Sequence, residues 1–230
     1  MLSRISEFIK QQIDLYGDEF ALSSEQVKSI SDDPDPKEDV LVQEANSLQE
    51  LYDGIHTCTE CPLGTKRTRF VFGEGNPDAD IMLIGEAPGA DEDRTGHVFA
   101  GEAGELLNKI LAAIDLSREE VFIGNILKCR PPLNRDPLPE EIDTCLPYLY
   151  QQIELINPAF ILCLGRVAAH TLLQTNEALS KLRLREHNVG SRRCMVTYHP
   201  AALLRNTELK CPTWEDVKLL KQRYEEWKVS

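Results

Sequence analysis

The stretch ADIMLIG at residues 79–85, which runs directly into EAPGADED at 86–93, decides the fold class of this chain. Several apolar residues in a row, bounded by a turn that contains glycine and proline, are typical of a strand that is buried on both faces. The carboxylates that follow then lie at the end of a sheet. A metal, a phosphate or another ligand would each fit such a turn, and this stretch alone does not choose among them.

Three further apolar runs have the same character: VFIGN at 121–125, FILCLG at 160–165 and CMVTYH at 194–199. Helical patterns separate them, and WEDVKLLKQRYEEWK at 214–228 predicts a closing amphipathic helix. Buried strands that alternate with helices indicate a parallel sheet covered on both faces. The sequence therefore predicts an α/β fold with three α/β/α layers around a central, mainly parallel sheet of four strands.

The overall composition narrows the class of protein. The chain has 230 residues, 42% of them hydrophobic, with seven cysteines and a net charge of −13. It contains no apolar run of membrane-spanning length, and the N-terminal MLSRISEFIK lacks the apolar segment of a signal peptide. We therefore expect a cytoplasmic, non-secreted protein that needs no membrane. An odd number of cysteines in such a chain favours a metal site over a disulfide framework.

The negative charge is concentrated at the N-terminus, where residues 1–50 contain 12 acidic and four basic side chains. Ile5, Phe8, Ile9 and Ile13 recur at helical spacing, whereas SDDPDPKED at 31–39 has no apolar periodicity. This pattern predicts an acidic extension over residues 1–47, made of a short helix and a flexible linker, followed by one domain over 48–230. The helix either docks on its own domain or binds a protein partner, and the whole chain is expected to be a monomer.

The predicted strands end in residues that can do chemistry. Glu86 follows the first strand, Asn125 closes the second, Gly165 and Arg166 follow the third, and His199 follows the fourth. Because the carboxyl ends of parallel strands open onto one crevice, we expect the carboxylate, the amide and the imidazole to converge there.

The cysteines suggest a second site. Cys58 and Cys61 form a C-x-x-C turn, and Cys129 and Cys145 supply a second pair of thiols. Four thiolates are a ligand set for zinc or for an iron–sulfur cluster, and the spacing does not decide between them. Cys163, in the middle of an apolar strand, is interpreted as a core thiol.

Four ordered motifs identify a family resemblance. GEAPGADED at 85–93, TGHVFAGEAGELL at 95–107, NILKCRPPLNRDP at 125–137 and YHPAALLR at 198–205, together with the four cysteines, resemble the family 4 uracil-DNA glycosylases, the iron–sulfur branch of their superfamily. The resemblance covers roughly residues 50–228. It implies a DNA repair enzyme at the nucleoid that flips uracil out of DNA and hydrolyses the N-glycosidic bond, leaving an abasic site. It also implies a 4Fe-4S cluster on the four cysteines.

The resemblance also implies roles for individual residues. The Asn125 amide would complement uracil O4 and N3–H, Phe99 would stack on the ring, and His199 would hydrogen-bond uracil O2 as negative charge collects there. Each of these roles suits the chemistry of its side chain.

The turn after the first strand supplies the remaining pocket residues. Another branch of the superfamily has an aspartate where this chain has Ala87, so Glu86 becomes the nearest carboxylate that can orient water and favour a cationic sugar. Glu92 would wall the pocket where the methyl group of thymine would intrude. Gly85 lets the turn approach a nucleotide closely.

Binding to DNA is expected in spite of the net acidity. Arg130 and Arg205 are predicted to contact phosphates, and Leu203 to wedge into the vacated base stack. Other basic residues that could contribute are Lys66, Arg67, Arg69, Lys128, Arg135, Arg192 and Arg193.

Two alternative functions remain open at this stage. In the first, Glu86, Asp91, Glu92 and Asp93 hold Mg²⁺ in a metal-dependent phosphohydrolase. In the second, the chain is a non-catalytic module that keeps the uracil- or DNA-binding pocket but has lost excision.

Overall fold

The computed structural model of the protein describes residues 45–230. The predicted helix and linker of the N-terminal extension lie outside the described residues. The first described helix begins at Leu48, where the Ser47 side chain accepts a hydrogen bond from the Glu50 backbone N–H and so caps the helix.

Eight helices and six strands alternate along the described part of the chain, and two short 3₁₀ turns, Pro132–Asn134 and Thr207–Leu209, join some of them. None of these helices combines the length and the apolar character that crossing a bilayer requires. In chain order the elements are α1 Leu48–Ile55, β1 Glu74–Gly75, β2 Ile81–Gly85, α2 Ala90–Thr95, α3 Glu102–Ala112, β3 Phe122–Asn125, α4 Pro139–Ile156, β4 Phe160–Leu164, α5 Arg166–Leu173, α6 Leu179–Leu182, β5 His187–Val189, β6 Arg192–Thr197, α7 Pro200–Arg205 and α8 Lys210–Lys228.

The sheet has the order β1-β3-β2-β4-β6-β5. Its four central strands are the four predicted ones, and all their pairings are parallel. The predicted α/β class is confirmed, but the strand count of four is too low because β1 and β5 pair antiparallel at the two edges. These edge strands have only two and three residues, too few to give a periodic signal in the sequence.

The core lies on both faces of the central strands. Every residue of β2 and of β4 is buried. Leu83 and Leu162 point into one apolar cluster that includes Leu107 of α3 and Val217 of α8. Their sequence neighbours, which point to the opposite face, are equally buried. Helices must therefore cover both faces, as the predicted three-layer arrangement requires.

Candidate active site

The carboxyl ends of the parallel strands form a cleft of about 690 Å³. The register places Gly85 of β2 opposite Asn125 of β3, so the residues that follow the two strands leave the sheet side by side. The structure brings together the side chains that the strand ends predicted, and the cleft is lined by Glu86, Ala87, Glu92, Phe99, Asn125, His199 and Arg205.

Asn125 offers an unpaired polar atom in this cleft. Its side chain is 3% exposed, and its Oδ1 atom has no hydrogen-bond partner among the described residues. The amide lies directly over Gly85, where an added Cβ would stand 2.4 Å from Oδ1. Any side chain at Gly85 would displace the amide. A buried acceptor without a donor is costly, so this geometry suits a ligand that brings an N–H group.

His199 stacks on Phe99, with ring centroids 5.4 Å apart and an angle of 25° between the rings. Gly165 allows this position, because a Cβ there would stand 2.9 Å from the Cβ of His199 and the φ angle of +94° favours glycine. The Ala201 backbone N–H donates to His199 Nδ1 over 3.2 Å, which leaves the ring proton on Nε2.

The charge state of His199 follows from its surroundings. Desolvation by burial, helped by the positive charge of Arg205, lowers the pKa of the imidazole to about 4. At neutral pH the ring is therefore an uncharged donor. Such a donor can form a hydrogen bond to an oxygen on which negative charge develops during the reaction. It does not need to carry a positive charge of its own.

Glu86 is half-buried at the mouth of the same cleft. Desolvation raises the pKa of its carboxyl group, and the nearby Asp136 carboxylate raises it further, while Arg166 and Arg205 act in the opposite direction. Arg166 Nη2 donates to Asp136 Oδ2 over 2.5 Å.

Asp136 and Arg166 are site residues whose roles the sequence did not reveal. The position of Arg166 at the end of a predicted strand could have indicated that it lies near the site. Asp136 lies in the loop after β3 and reaches the cleft only through the tertiary fold.

Glu92 acts inside the loop and holds it together. Its two carboxylate oxygens accept hydrogen bonds from the backbone N–H groups of Gly89, at 3.0 Å, and of Ala100, at 2.9 Å. The side chain therefore fastens the turn after Glu86 to the residue that follows Phe99. This observation supports a positioning role for Glu92 in addition to its place in the cleft wall.

The acidic cluster is not arranged as the magnesium hypothesis requires. Asp93 is buried and accepts a hydrogen bond from the Thr68 backbone N–H at 2.8 Å, and Asp91 pairs with Arg94 at 3.0 Å. Asp91 lines the cleft together with Glu86 and Glu92, but Asp93 does not, and within residues 45–230 no three carboxylates stand at the mutual distances of a metal site. The structure thus gives no support to a phosphohydrolase built on these four residues.

The four cysteines occupy one neighbourhood behind the cleft. Cys58 and Cys61 lie close enough to Cys129, and Cys61 and Cys129 close enough to Cys145, for an ionised thiol at one position to raise the pKa of the next. Arg67 fastens this region, because its Nη1 atom donates to the Cys58 carbonyl at 2.6 Å and to Cys129 Sγ at 3.3 Å. All four are free cysteines.

The four thiols, once deprotonated, are sulfur ligands of the kind that bind zinc and iron–sulfur clusters. Burial raises the pKa of Cys145 to about 12 and also raises that of Cys129, so both sulfurs are protonated until a metal displaces the proton. Within residues 45–230 no three Cys, His, Asp or Glu side chains stand at the mutual distances of a formed metal centre. The donor set of four sulfurs nevertheless fits zinc or an iron–sulfur cluster.

Comparison with known proteins gives the family. The model of the uracil DNA glycosylase superfamily matches residues 72–223. A type-4 uracil-DNA glycosylase of Archaeoglobus fulgidus is 43% identical over 71% of this chain and 86% of its own length. A type-4 uracil-DNA glycosylase of Thermotoga maritima is 42% identical over 76% of this chain and 93% of its own length. The chain belongs to the uracil-DNA glycosylase superfamily. The resemblance to the family 4 members is confirmed.

This membership directs attention to the face that would meet DNA, where one prediction is wrong. Leu203 is only 1% exposed, because it lies on the inner side of α7, and it cannot reach a base stack. Its neighbour Leu204 is 45% exposed and is the leucine that this helix presents to solvent. Two leucines in sequence gave no means of telling the inner side chain from the outer one.

The arginines that were predicted to contact phosphates in this superfamily member lie in two different places. Arg205 is exposed and lines the cleft, and Arg130 donates to Asn134 Oδ1 at 2.7 Å beside the same cleft. Arg192 and Arg193 begin β6, at the end opposite His199, and are paired with carboxylates. These two arginines are therefore not part of a surface around the cleft.

Proposed function

We propose that this chain is a uracil-DNA glycosylase, which hydrolyses the bond between N1 of uracil and C1′ of deoxyribose and leaves an abasic site in DNA. The buried Oδ1 atom of Asn125 carries the proposal, because this residue lines the cleft, the atom has no donor among the described residues, and uracil presents an N–H donor at N3. The relatives named as type-4 uracil-DNA glycosylases support it.

Base selection follows from the hydrogen-bonding pattern of the amide. Uracil has a donor at N3 and an acceptor at O4, which match the acceptor and the donor of Asn125. Cytosine presents an acceptor at N3 and a donor at its amino group, so a fixed Asn125 amide would meet it with both groups mispaired. Because the amide lies directly over Gly85, and the Phe99 ring packs beside the same glycine, rotation to accept cytosine is opposed by packing.

Cleavage of the glycosidic bond builds negative charge on uracil and positive charge on the sugar. Neutral His199, with its proton on Nε2, would donate to uracil O2 as the charge develops, and the Phe99 ring would stack on the base. The Glu86 carboxylate would orient the attacking water and stabilise the cationic sugar. No aspartate stands next to it, because the following residue is Ala87.

A single assay tests the proposed reaction. A uracil-containing oligonucleotide is incubated with the protein in EDTA and then treated with alkali, which cleaves at abasic sites. We expect strand cleavage at uracil only, with thymine and cytosine at the same position as controls. Binding of the uracil strand without cleavage would show the non-catalytic module, and cleavage that requires added Mg²⁺ would show the phosphohydrolase.

We further propose that Cys58, Cys61, Cys129 and Cys145 hold a 4Fe-4S cluster. The cluster would supply covalent cross-links between the turn after α1 and the segment from β3 to α4; hydrolysis of a glycosidic bond transfers no electrons. Arg67 and Tyr148 would lie beside it, since Arg67 contacts Cys129 Sγ and the Tyr148 hydroxyl lies 3.7 Å from Cys58 Sγ.

Replacing one ligand tests this structural role. We expect Cys145→Ala to purify without iron and to unfold at a lower temperature than the parent protein, because the cross-link is lost. Cys163→Ala is the matched control, since that thiol is also buried but lies in β4. Iron content, absorbance near 400 nm and thermal unfolding are the measurements, and a Cys145→Ala protein that lacks iron but unfolds like the parent would refute the role.

The remaining expectations from the sequence complete the proposal. We propose that an acidic extension over residues 1–47, which binds a protein partner, precedes a catalytic domain over 48–230, and that the chain works as a monomer on uracil-containing DNA in the cytoplasm, at the nucleoid. Size-exclusion chromatography with light scattering measures the oligomeric state directly.

A further inference from the structure

Lys128 is a fully buried lysine that joins the cysteine region to the cleft. Its side chain is 0% exposed. The Nζ atom donates to the backbone carbonyl of Asn125 at 2.9 Å and to Gln152 Oε1 at 2.6 Å. Gln152 is equally buried, and its Nε2 atom donates to the Phe72 carbonyl at 3.0 Å. The ammonium group is thus held by a continuous buried network.

Among the described residues, the Lys128 ammonium group has no carboxylate partner. Across residues 45–230 no carboxylate forms an ion pair with Lys128, and its two acceptors are neutral oxygens. Removing an uncompensated charge from water is expensive, so buried lysines are rare unless they are paired. Lys128 directly precedes Cys129 in the chain, and the Cys145 thiol lies against the Lys128 backbone N–H, so the ionisable groups nearest to this lysine in charge are these two thiols.

The charge of a loaded cysteine centre would supply the missing partner. Four thiolates around a core of charge +2, whether zinc or an oxidised 4Fe-4S cluster, carry a net charge of about −2. Two cations reach the cysteine region in the described structure. One is Arg67, which contacts Cys129 Sγ at 3.3 Å, and the other is Lys128.

We propose that Lys128 is the buried counter-ion of the four-cysteine centre and that, through its hydrogen bond to the Asn125 carbonyl, it positions the uracil-reading amide when the centre is loaded. The inference rests on the proposed function and deepens it. Lys128 is a positioning residue, since it lies behind Asn125 and outside the cleft lining.

The local backbone explains how such a link can act. Asn125 ends β3, and the next residues run along the end of β2, with the Ile126 and Leu127 N–H groups donating to the carbonyls of Gly85 and Glu86 at 3.0 Å each. The carbonyl of Asn125 is held by Lys128. If Lys128 moves towards or away from the thiolates, it therefore shifts the backbone carbonyl of Asn125. This is the residue whose side-chain amide is proposed to bind uracil.

The charge role is tested on DNA-free protein. Lys128→Met keeps the approximate length of the side chain but removes its charge, Lys128→Arg keeps the charge, and Lys109→Met, on the exposed side of α3, is the matched control. We expect Lys128→Met to shift the reduction potential of the cluster to more negative values, because loss of a nearby cation disfavours adding an electron. Lys128→Arg and Lys109→Met should keep the parent potential.

A second variant covers the case in which Lys128→Met does not fold. Gln152→Glu places a carboxylate where Gln152 Oε1 now accepts from Nζ, so it gives Lys128 a competing partner while the lysine remains. We expect this variant also to lower the potential, and to release its metal at a higher pH than the parent during acid titration. Metal release is measured with a metal-binding dye and serves for iron and for zinc. Parent values for both quantities would overturn the counter-ion role.

The positioning role is tested with DNA. We expect Lys128→Met to lower the single-turnover excision rate by about tenfold at saturating DNA, with unchanged affinity for uracil-free duplex, and Lys128→Arg to restore most of the rate. A parent rate in Lys128→Met would overturn this part. Absence of excision by the parent protein would overturn the proposed function instead, while the potential and the metal-release measurements would still decide the counter-ion role.

Discussion

At the scale of single residues, the cleft pairs a neutral imidazole with a carboxyl group of raised pKa. Burial disfavours the charged form of both groups, and it therefore lowers the pKa of His199 and raises that of Glu86. His199 is thereby an uncharged hydrogen-bond donor, and the Glu86 carboxyl group binds a proton more readily than an exposed glutamate does. Shifts of this kind are common at sites that carry out proton and charge chemistry.

Removal of either group should slow excision without unfolding the protein. We expect His199→Ala and Glu86→Gln each to reduce the single-turnover rate by about tenfold to a thousandfold, because each removes an electrostatic contact to the transition state. Thermal unfolding of each variant, compared with that of the parent, separates loss of chemistry from loss of fold. A folded variant with the full parental rate would contradict the assignment of that residue.

The pH dependence should separate the two groups. Excision should decline as the pH falls through the pKa of Glu86, which burial holds above the usual value of a glutamate, because the protonated carboxyl group no longer stabilises a cationic sugar. His199 keeps its neutral form until the pH approaches about 4. In the parent protein, the single-turnover rate should therefore fall at acid pH as Glu86 is protonated. In Glu86→Gln this fall, the acid limb of the profile, should be absent until the pH is low enough to protonate His199. An identical limb in this variant would assign the limb to another group.

At the scale of secondary-structure elements, α7 shows how a short helix divides its residues between core and DNA. His199 caps its N-terminus through the hydrogen bond from Ala201, Leu203 lies in the core, and Arg205 ends it beside the cleft. The helix thus sets the spacing between the imidazole proposed to be catalytic and the surface proposed to meet DNA.

The two leucines of α7 should respond differently to truncation. Leu203→Ala should lower the free energy of unfolding by about 2–5 kcal/mol, the usual cost of a cavity in the core. Leu204→Ala should change stability by less than about 0.5 kcal/mol, since its side chain is exposed.

The Leu204→Ala variant also tests whether this side chain inserts into the base stack during catalysis. If Leu204 inserts into the base stack, Leu204→Ala should slow excision from duplex DNA about tenfold and excision from single-stranded DNA much less, because only the duplex must be unstacked. Equal slowing on both substrates would argue against a wedge.

At the scale of the whole molecule, a chain with a net charge of −13 must bind a polyanion. Its negative charge is concentrated in the first 50 residues, and many arginines of the described domain are already paired with carboxylates. Of the two arginines that line the cleft, Arg135 is paired with Glu141, whereas Arg205 forms no ion pair among the described residues and also acts on Glu86 and His199. Binding therefore depends on a local group of charges and not on the net charge.

Salt dependence measures the number of these contacts. The logarithm of the affinity for uracil-free duplex should fall linearly with the logarithm of salt concentration. Arg205→Ala should make that slope shallower by about 1, as loss of one phosphate contact predicts. Arg192→Ala, at the far end of β6, is the control and should leave the slope unchanged. A parent slope in Arg205→Ala would exclude a phosphate contact at this residue.

The sequence by itself determined the fold class, the order of the four central strands along the chain and the polar residues at their ends. It could do so because buried strands and helices have different apolar periods, and because parallel strands bring their carboxyl ends to one edge. Glu86, Asn125 and His199 were accessible to this reasoning, as were the four cysteines. The edge strands were not, since two or three residues show no period.

Only the tertiary structure decided which side chains are partnered and which are free. It assigned Leu203 to the core and Leu204 to the surface, paired Asp91 with Arg94 and Asp93 with the Thr68 backbone, and returned Asp136 to the cleft. Within residues 45–230 it also left the Oδ1 atom of Asn125 without a donor and Lys128 without a carboxylate. The physical reason is that burial and hydrogen bonding depend on contacts between residues far apart in the chain, which local patterns do not encode.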